Sequence, residues 1–315
     1  MVSIIMPIYN RASIVQRSLD SLILQTYGDW ECIVVDDGST DDTINILNNN
    51  ACLDNRFRVY ERDVTKIKGA PTCRNIGLEK AKGDFIIFLD SDDILQSHCL
   101  ESRLANFKKE KNKDFLIFPM GVFINSSIQK KDITTTKTYL EDFLSYKLPW
   151  SIMCPIWKVD FLRSLCGFKE GYPRLNDPEL MIRALIKSGD NYKVINNVEF
   201  DSIYYPSITD WTQISNKYYR SLLLFIPDIT QTLLDAKKEY LKPLLKGYLK
   251  IWYRDFFLPG KQNLIKENLE LISVFKARKV ISSWLAIQLK MRVYLIIAFR
   301  FFTRKLGNYQ TASLE

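Results

Sequence analysis

A run of eight residues, Ile86 to Asp93 (IIFLDSDD), constrains the fold more than any other part of the sequence. Consecutive apolar residues are typical of a buried strand, and here three carboxylates follow the apolar residues directly. Open α/β sheets bind their ligands at the carboxyl ends of their strands. Clustered carboxylate oxygens favour a hard divalent cation, Mg²⁺ or Mn²⁺, which commonly bridges to phosphates. The run therefore predicts an α/β sheet with a cation-binding and phosphate-binding edge.

Strand and helix patterns alternate over the first 120 residues, which predicts a mostly parallel sheet flanked by helices. Strands are predicted over residues 3–7, 32–35, 58–61, 84–89 and 114–119, and helices over 13–26, 41–49 and 71–82. Polar runs follow three of these strands, at Pro7 to Asn10, Asp36 to Ser39 and Asp90 to Asp93. Because parallel strands end at the same edge, we expect these runs to form one polar crevice.

Charge divides the chain into two parts. Residues 1–215 carry 26 Lys and Arg against 29 Asp and Glu, a net charge of −3, and residues 216–315 carry 18 against 7, a net charge of +11. We predict an α/β domain over 1–215 and a basic, mostly helical region over 216–315. The basic region suggests contact with an anionic surface.

The six cysteines have no CxxC spacing, which indicates reduced thiols in a cytoplasmic protein. The first residues, MVSIIMPIYN, form a strand pattern and not the pattern of a signal peptide. The most apolar segment, Trp284 to Phe302, is interrupted by Lys290, Arg292 and Arg300. A membrane-spanning helix is therefore not expected.

Two segments of the basic region are candidates for lying on a membrane. Residues 237–254 alternate basic and apolar side chains at near-helical spacing, which predicts a basic amphipathic helix. The segment from Trp284 to Phe302 adds further aromatic and basic residues. A helical subdomain that packs on the first domain or forms a homodimer explains the pattern equally well. Nucleic acid is a poorer explanation, because no recognised binding motif accompanies the charge.

Four motifs resemble, in order, those of the family 2 glycosyltransferases with the GT-A fold. They are VSIIMPIYNR, QTYGDWECIVVDDGSTDDT, RNIGLEKAKGDFIIFLDSDD and NDPELMIRAL. The resemblance covers residues 1–210 approximately. It implies a GT-A nucleotide-diphospho-sugar transferase fold, a UDP-sugar donor, Mn²⁺ or Mg²⁺, and a single displacement that inverts the anomeric centre.

The resemblance also assigns roles to individual residues. Tyr9 would stack on the base, Asp37 would accept its imide proton, and Asp92 would hold the metal. Asp93 is expected to cap the following helix. The residues implied in nucleotide binding are Pro7, Tyr9, Asn10, Asp36, Asp37, Gly69, Arg74, Asp90 and Ser91.

Asp177 lies where the family places the base that takes the proton from the acceptor hydroxyl. Asn176 departs from the pattern of many relatives, which have Glu at that position. Asn176 would orient Asp177 by hydrogen bonding, and Glu179 would begin a helix over 180–187. The alternative is that Asp177 is a simple capping residue.

A second departure from the family pattern concerns the metal. Some GT-A enzymes add a late His ligand, whereas this chain has only His98, which is expected at a helix start near Ser97. A water or Asp201 could replace the missing ligand. Trp150, Trp157 and Trp211 are candidate faces for stacking on sugar, although buried packing is the commoner role of Trp.

These observations predict an inverting glycosyltransferase that extends a glycan acceptor, such as a lipid-linked intermediate of a bacterial surface polysaccharide, at the inner face of the cell membrane. One alternative is a transferase that acts on a soluble or protein acceptor. Another is a non-catalytic nucleotide-sugar-binding or scaffold protein, which the departures at Asn176 and the missing His would explain.

Overall fold

The computed structural model describes residues 1–206, 211–260 and 262–312, with the side chains of 211 and 300–312 excepted. The chain forms two compact units. The first comprises Met1–Phe143 and Leu148–Ile208, and the second comprises Leu144–Lys147 and Thr209–Glu315. The domain limits inferred from charge, 1–215 and 216–315, stay predictions.

The first unit is built on a seven-stranded sheet. Its strands in chain order are β1 (Val2–Ile8), β2 (Trp30–Asp36), β3 (Phe57–Glu61), β4 (Phe85–Phe88), β6 (Phe115–Ile117), β9 (Pro155–Lys158) and β10 (Tyr192–Val194). The order across the sheet is β10-β6-β9-β4-β1-β2-β3, and only β9 runs antiparallel to its neighbours among these strands. The mostly parallel α/β sheet predicted from sequence is confirmed.

Strands β1 and β2 lie inside the sheet, and all of their residues are buried. Apolar residues fill both faces of these strands, as expected of a parallel sheet that is covered by helices on both sides. The helices of this unit are α1 (Val15–Ile23), α2 (Thr43–Leu53), α3 (Ala70–Lys80), α4 (Cys99–Lys109), α5 (Tyr139–Leu144), α6 (Val159–Ser164) and α7 (Asn176–Ser188).

A second sheet of four short strands lies in the same unit. Its strands are β5 (Ile94–Leu95), β7 (Met120–Ile124), β8 (Ser127–Lys131) and β11 (Ser202–Tyr204), in the order β5-β11-β7-β8. Because β5 directly follows the acidic run and pairs with β11, the pairing of Ser202 with Leu95 brings residues 202–205 beside that run.

Helix α3 packs closely on strand β1, and Gly77 makes this possible. A Cβ atom at Gly77 would lie 2.3 Å from Cγ2 of Ile5. This distance is far below van der Waals contact, so any larger residue would push α3 away from the sheet. The glycine of the RNIG motif therefore sets the position of Arg74 on the same helix.

The second unit is helical, as predicted. It contains α8 (Trp211–Asp235), a 3₁₀-helix (Glu239–Leu245), α9 (Lys246–Ile251), a π-helix (Trp252–Phe257), α10 (Ile265–Ala277) and α11 (Ser283–Ala312). Its core is aromatic: Trp252 is fully buried, stacks parallel to Tyr218 and donates a hydrogen bond to Asn268 Oδ1.

The single amphipathic helix predicted over residues 237–254 is wrong. This segment is a 3₁₀-helix, a short α-helix and the start of a π-helix, so its lysines do not share one continuous helical face. Its apolar residues Leu241, Leu245 and Trp252 are buried within the unit. These residues pack against α8 and α10, so they are not exposed to contact a membrane.

Candidate active site

Three polar runs meet at the carboxyl edge of the large sheet. In the parallel register, Ile8 of β1 is level with Asp36 of β2, and Ile5 is level with Phe88 of β4. The chain therefore leaves these three strands at the same edge and continues into the polar runs that begin at Tyr9, Asp37 and Asp90. The three polar runs therefore lie at one edge of the sheet, as expected from the sequence.

One side of the crevice is organised around Asp37. This buried carboxylate accepts hydrogen bonds from Arg62 Nε and from the backbone N–H of Gly69 at 3.2 Å. Gly69 has φ +143°, a conformation that favours glycine, and it directly precedes α3. The ring of Tyr9 is 41% exposed, and Lys68 Nζ lies 3.7 Å from the ring centroid. A flat exposed aromatic surface beside a fixed carboxylate is suited to a nucleobase.

The loops after β1 and β2 hold each other in place. Asn10 adopts φ 51°, which Asn tolerates better than most residues, and its Oδ1 accepts the backbone N–H of Thr40 at 2.8 Å. Asp36 accepts the backbone N–H groups of Gly38 and Ser39. The pairing of β1 with β4 ends at Ile5 and Phe88, two residues before Pro7. Pro7, which has no backbone N–H, therefore interrupts no hydrogen bond to β4. Asn10 and Asp36 thus shape the crevice through backbone contacts.

The other side of the crevice is organised around Arg74, whose side chain is only 4% exposed. Its Nη2 donates to Asp90 Oδ1 at 2.6 Å. Its Nη1 donates to Asp177 Oδ1 at 2.9 Å and to Asn176 Oδ1 at 3.0 Å. One guanidinium therefore connects the end of β4 with the start of α7, which are far apart in sequence. Its planar fork suits such simultaneous contacts better than an ammonium would.

Asp177 lies in the first turn of α7 and not before the helix as predicted, because α7 begins at Asn176. Leu175, just before it, adopts a left-handed conformation with φ 62°, which is costly for a branched side chain. The helix is anchored by buried Glu179, which forms two bonds of 2.7 Å with Arg183, while Arg183 donates to the carbonyls of Leu165 and Gly167. The segment that carries Asp177 is thus fixed from both sides.

The environment of Asp177 sets its acidity. Burial raises the pKa of this carboxyl above its ordinary value, Arg74 opposes that rise, and the negative charge of Asp90 adds to it. The net result is a raised pKa. A carboxylate with a raised pKa and a side chain that is one-third exposed, at 34%, is suited to accept a proton from a bound hydroxyl.

The acidic run lies between the two sides. Burial, followed by the charge of Asp90, raises the pKa of Asp92, and the same two causes raise the pKa of Asp93 to about 8. Arg11 Nη2 lies 3.8 Å from Asp92 Oδ2. The backbone carbonyl of buried Ser91 accepts a hydrogen bond from Ser18 at 3.0 Å, which fixes the run against α1.

Asp93 does not cap a helix, contrary to the prediction. Its Oδ1 accepts the backbone N–H of Tyr205 at 2.9 Å, and the next helix begins only at Cys99. This bond forms because β5 and β11 pair, which a local reading of the sequence could not foresee. Asp93 therefore ties the acidic run to the segment after β11.

The residues present fit a divalent cation only together with a ligand that supplies oxygens. Among residues 1–206, 211–260 and 262–312, no three His, Cys, Asp or Glu side chains are grouped to hold a metal. Nevertheless, Asp90 and Asp92 are close enough for Asp90 to raise the pKa of Asp92. A cation would relieve this repulsion, and a nucleotide diphosphate would complete its coordination.

Several further candidates from the sequence have structural roles. Asp201 is not available to a metal, because it forms a buried two-bond pair with Arg103 at 2.6 and 2.7 Å. His98 directly precedes α4 and makes no side-chain capping bond. Trp150 and Trp157 are buried and so pack as core residues, while Trp211 lies outside the described side chains.

Sequence reasoning missed the basic residues that hold the site. Arg62 comes one residue after β3, and continuation of the β2–β3 register brings it level with Asp37. Arg17 donates to the carbonyl of Asp92 at 2.6 Å and lies 3.6 Å from the ring centroid of Tyr205. The β2–β3 register could therefore have predicted the contact of Arg62 with Asp37. No sequence pattern could have predicted the contacts of Arg17, because they depend on tertiary packing.

The sequence profile of the family described as Glycosyl transferase family 2 matches residues 3–158, which include Asp37, Arg74 and the acidic run. The chain belongs to glycosyl transferase family 2. The NDPELMIRAL motif, with Asp177, lies outside the matched residues.

Relatives and solved structures agree with this assignment. The chain is 37% identical over 145 residues to the Escherichia coli UDP-Glc:alpha-D-GlcNAc-diphosphoundecaprenol beta-1,3-glucosyltransferase WfgD, covering 44% of this chain and 52% of the relative. The chain spans about half the length of WfgD and of a Haemophilus influenzae relative that is described as an uncharacterized glycosyltransferase. 

Two solved structures have a fold similar to that of this chain. S. aureus TarS, crystallised as residues 1–349 in complex with UDP-GlcNAc, superimposes with a TM-score of 0.71 at 20% identity over 93% of this chain and 89% of that one. The mannosyltransferase PcManGT from Pyrobaculum calidifontis, in complex with GDP-Man and Mn²⁺, gives 0.54 at 15% identity over 95% and 86%. The GT-A fold expected from the motifs is confirmed.

Proposed function

We propose that this chain transfers a hexosyl or N-acetylhexosaminyl group from a UDP-sugar to a hydroxyl of a glycan acceptor, with inversion at the anomeric carbon. One observation carries the proposal: Arg74 holds both Asp90, proposed to face the ribose, and Asp177, proposed as the base. A donor-binding residue and a proton acceptor are thus fixed relative to each other across the crevice.

In the proposed displacement, the acceptor hydroxyl oxygen attacks the anomeric carbon while the bond to the diphosphate breaks. The hydroxyl proton passes to Asp177, and UDP leaves with the electron pair of the broken bond. Asp177 is effective only when unprotonated, and Arg74 favours that form by opposing the effect of burial on its pKa. Asn176 accepts a hydrogen bond from the same Arg74 nitrogen, so it acts on Asp177 only through that shared guanidinium.

The donor nucleotide is proposed to lie along the sheet edge. Tyr9 and Asp37 would take the base, with Gly69 close to it, and Asp90 the ribose. The loops around the donor would be held by contacts of four further residues, Pro7, Asn10, Asp36 and Ser91. Arg74 would approach the diphosphate from its place between Asp90 and Asp177.

Asp92, with Asp90 beside it, is the proposed protein ligand for Mn²⁺ or Mg²⁺. When bound, the cation would neutralise negative charge on the leaving diphosphate. Burial, followed by the negative charge of Asp90, raises the pKa of Asp92. A positive ion would relieve the repulsion by Asp90, which supports this assignment.

We further propose a lipid-linked acceptor in the synthesis of a bacterial surface polysaccharide, at the inner face of the cell membrane. The similarity to WfgD, whose name gives a diphosphoundecaprenol acceptor, supports this class of acceptor. The excess of basic residues after position 215 also supports it. No helix among the residues that the structure describes combines the length and the apolar character needed to cross a bilayer.

A donor screen tests the proposal. The full chain is incubated with Mn²⁺, a panel of UDP-sugars and GDP-mannose, and a short-chain lipid diphosphate sugar, and both UDP release and the glycosylated product are measured. We expect product from one or two UDP-sugars, with the new linkage in the inverted configuration. Release of nucleotide without product would indicate a soluble or protein acceptor. Donor binding without release would support the alternative of a non-catalytic binding protein.

A further inference from the structure

Helix α11 exposes several large apolar side chains along one side. Over residues 283–299 the helix is about 25 Å long. Trp284, Ile287 and Leu295 are 68%, 51% and 66% exposed, and Met291 between them is 59% exposed. Their spacing of three or four residues places all four on one side of the helix.

This exposed face is distinct from the face that stabilises the fold. Ala286 and Val293 of α11 are buried, and α11 packs on α10. The helix is thus apolar on two sides, of which only one is used in packing. Large apolar residues exposed side by side along a helix usually mark a binding surface.

The charges around the face indicate what binds there. Between positions 271 and 314 the chain has eight Lys and Arg residues and no Asp or Glu. Lys290 and Arg292 directly flank Met291, on opposite sides of the apolar stripe. An apolar stripe flanked by basic side chains complements the acyl boundary and the anionic headgroups of a bilayer.

A second copy of the chain is a weaker fit for the same face. If two α11 helices met through this stripe, Lys290 and Arg292 of both copies would approach one another without acidic partners on the helix. Like charges at an interface oppose association, whereas anionic lipids would neutralise them. Charge complementarity therefore favours the bilayer surface.

We infer that the exposed face of α11, formed by Trp284, Ile287, Met291 and Leu295, lies in the surface of an anionic membrane with the helix parallel to the bilayer plane. Only the purpose of this attachment, access to a lipid-linked acceptor, rests on the proposed function. The attachment itself requires neither nucleotide nor catalysis.

Flotation of the full chain with vesicles tests the inference. We expect flotation with phosphatidylglycerol vesicles and at least about tenfold weaker binding to phosphatidylcholine vesicles, because each basic side chain near an anionic surface contributes about fivefold. The double variant Ile287→Glu/Leu295→Glu should bind phosphatidylglycerol vesicles at least about tenfold more weakly, since it places charge in the apolar stripe. Leu53→Glu is the matched control, because Leu53 is 88% exposed in the first unit, and it should float like the unchanged protein.

Two results would overturn the inference. One is equal flotation of the unchanged protein and the Ile287→Glu/Leu295→Glu variant, when circular dichroism shows both to be folded. The other is a dimer in light scattering that the variant converts to a monomer, combined with absence of flotation, which would assign the face to a second copy. UDP release from a water-soluble donor should be the same for variant and unchanged protein, so failure of flotation and failure of the proposed function can be distinguished.

Discussion

Arg74 Nη1 lies 2.9 Å from Asp177 Oδ1, and the same guanidinium binds Asp90 through Nη2 at 2.6 Å. The arginine is almost fully buried, while both carboxylates keep about a third of their side-chain surface exposed to the crevice. A buried cation thus presents two carboxylates to the place where a donor and an acceptor would meet.

Replacing Arg74 should change the pH dependence of transfer. In Arg74→Gln the opposing charge is lost, so burial and Asp90 raise the pKa of Asp177 further than in the unchanged protein. Because the base acts only when deprotonated, the rate at saturating donor should fall most at low pH and recover as pH rises. The measurement is the pH profile of kcat.

Arg74→Lys is the control for that experiment, because it keeps the positive charge but loses the forked geometry. Arg74→Lys should lower kcat because Asp177 is misplaced. The pH at which kcat falls on the acidic side should be nearer to that of the unchanged protein than it is in Arg74→Gln. If the glutamine and lysine variants had the same acidic limb as the unchanged protein, Arg74 would not control the proton affinity of the base.

Removal of one carboxylate from the acidic run should separate metal-dependent from metal-independent binding. In Asp92→Asn we expect UDP affinity in the presence of Mn²⁺ to fall at least about tenfold, because one of few protein ligands is lost. UDP binding in the presence of EDTA should not change. Calorimetric titration measures both.

Asp160→Asn is a suitable control, since Asp160 is an exposed carboxylate of α6. It should bind UDP like the unchanged protein in both conditions. A Mn²⁺ effect of equal size in Asp92→Asn and Asp160→Asn would remove Asp92 as the ligand.

Gly77→Ala should destabilise the first unit. The new Cβ would lie 2.3 Å from Ile5 Cγ2, and overpacking of this kind costs about 1–3 kcal/mol. Thermal unfolding should show a melting temperature lower by several degrees. Since α3 also carries Arg74, kcat should fall in the same variant.

Gly28→Ala is the matched control, because no atom lies within 4 Å of its added Cβ and its φ is not positive. Its melting temperature should stay within about a degree of the unchanged value or rise slightly, because alanine restricts the unfolded chain. Equal loss of stability in both variants would show that the Gly77 contact is not the cause.

The sequence was sufficient to predict the sheet and the edge at which the site lies. Alternating patterns located β1, β2 and β4, and parallel pairing then required their polar ends to meet. The motifs also selected Asp177, which the structure joins to Asp90 through Arg74, and its role as the base stays a prediction. Its helix begins at Asn176 and not at residue 180, and local periodicity could not place that boundary, which follows a left-handed residue, Leu175.

The remaining features depend on contacts between distant segments. Asp93 binds the N–H of Tyr205 because β5 pairs with β11, and Asp201 pairs with Arg103 in the core. In the second unit, the apolar residues around Leu245 are buried by packing against other helices, whereas Trp284, Ile287 and Leu295 of α11 are exposed. Sequence spacing is similar in the two segments, so only the structure identifies which apolar side chains are exposed.

The most direct test of the account is transfer by Asp177→Asn, measured beside UDP binding by the same variant. The amide keeps the shape of the side chain but cannot take a proton, so we expect kcat to fall by about 10²–10⁴-fold. UDP affinity with Mn²⁺ should stay within a few fold of the unchanged value. Transfer at the original rate by Asp177→Asn, with UDP binding intact, would contradict the account.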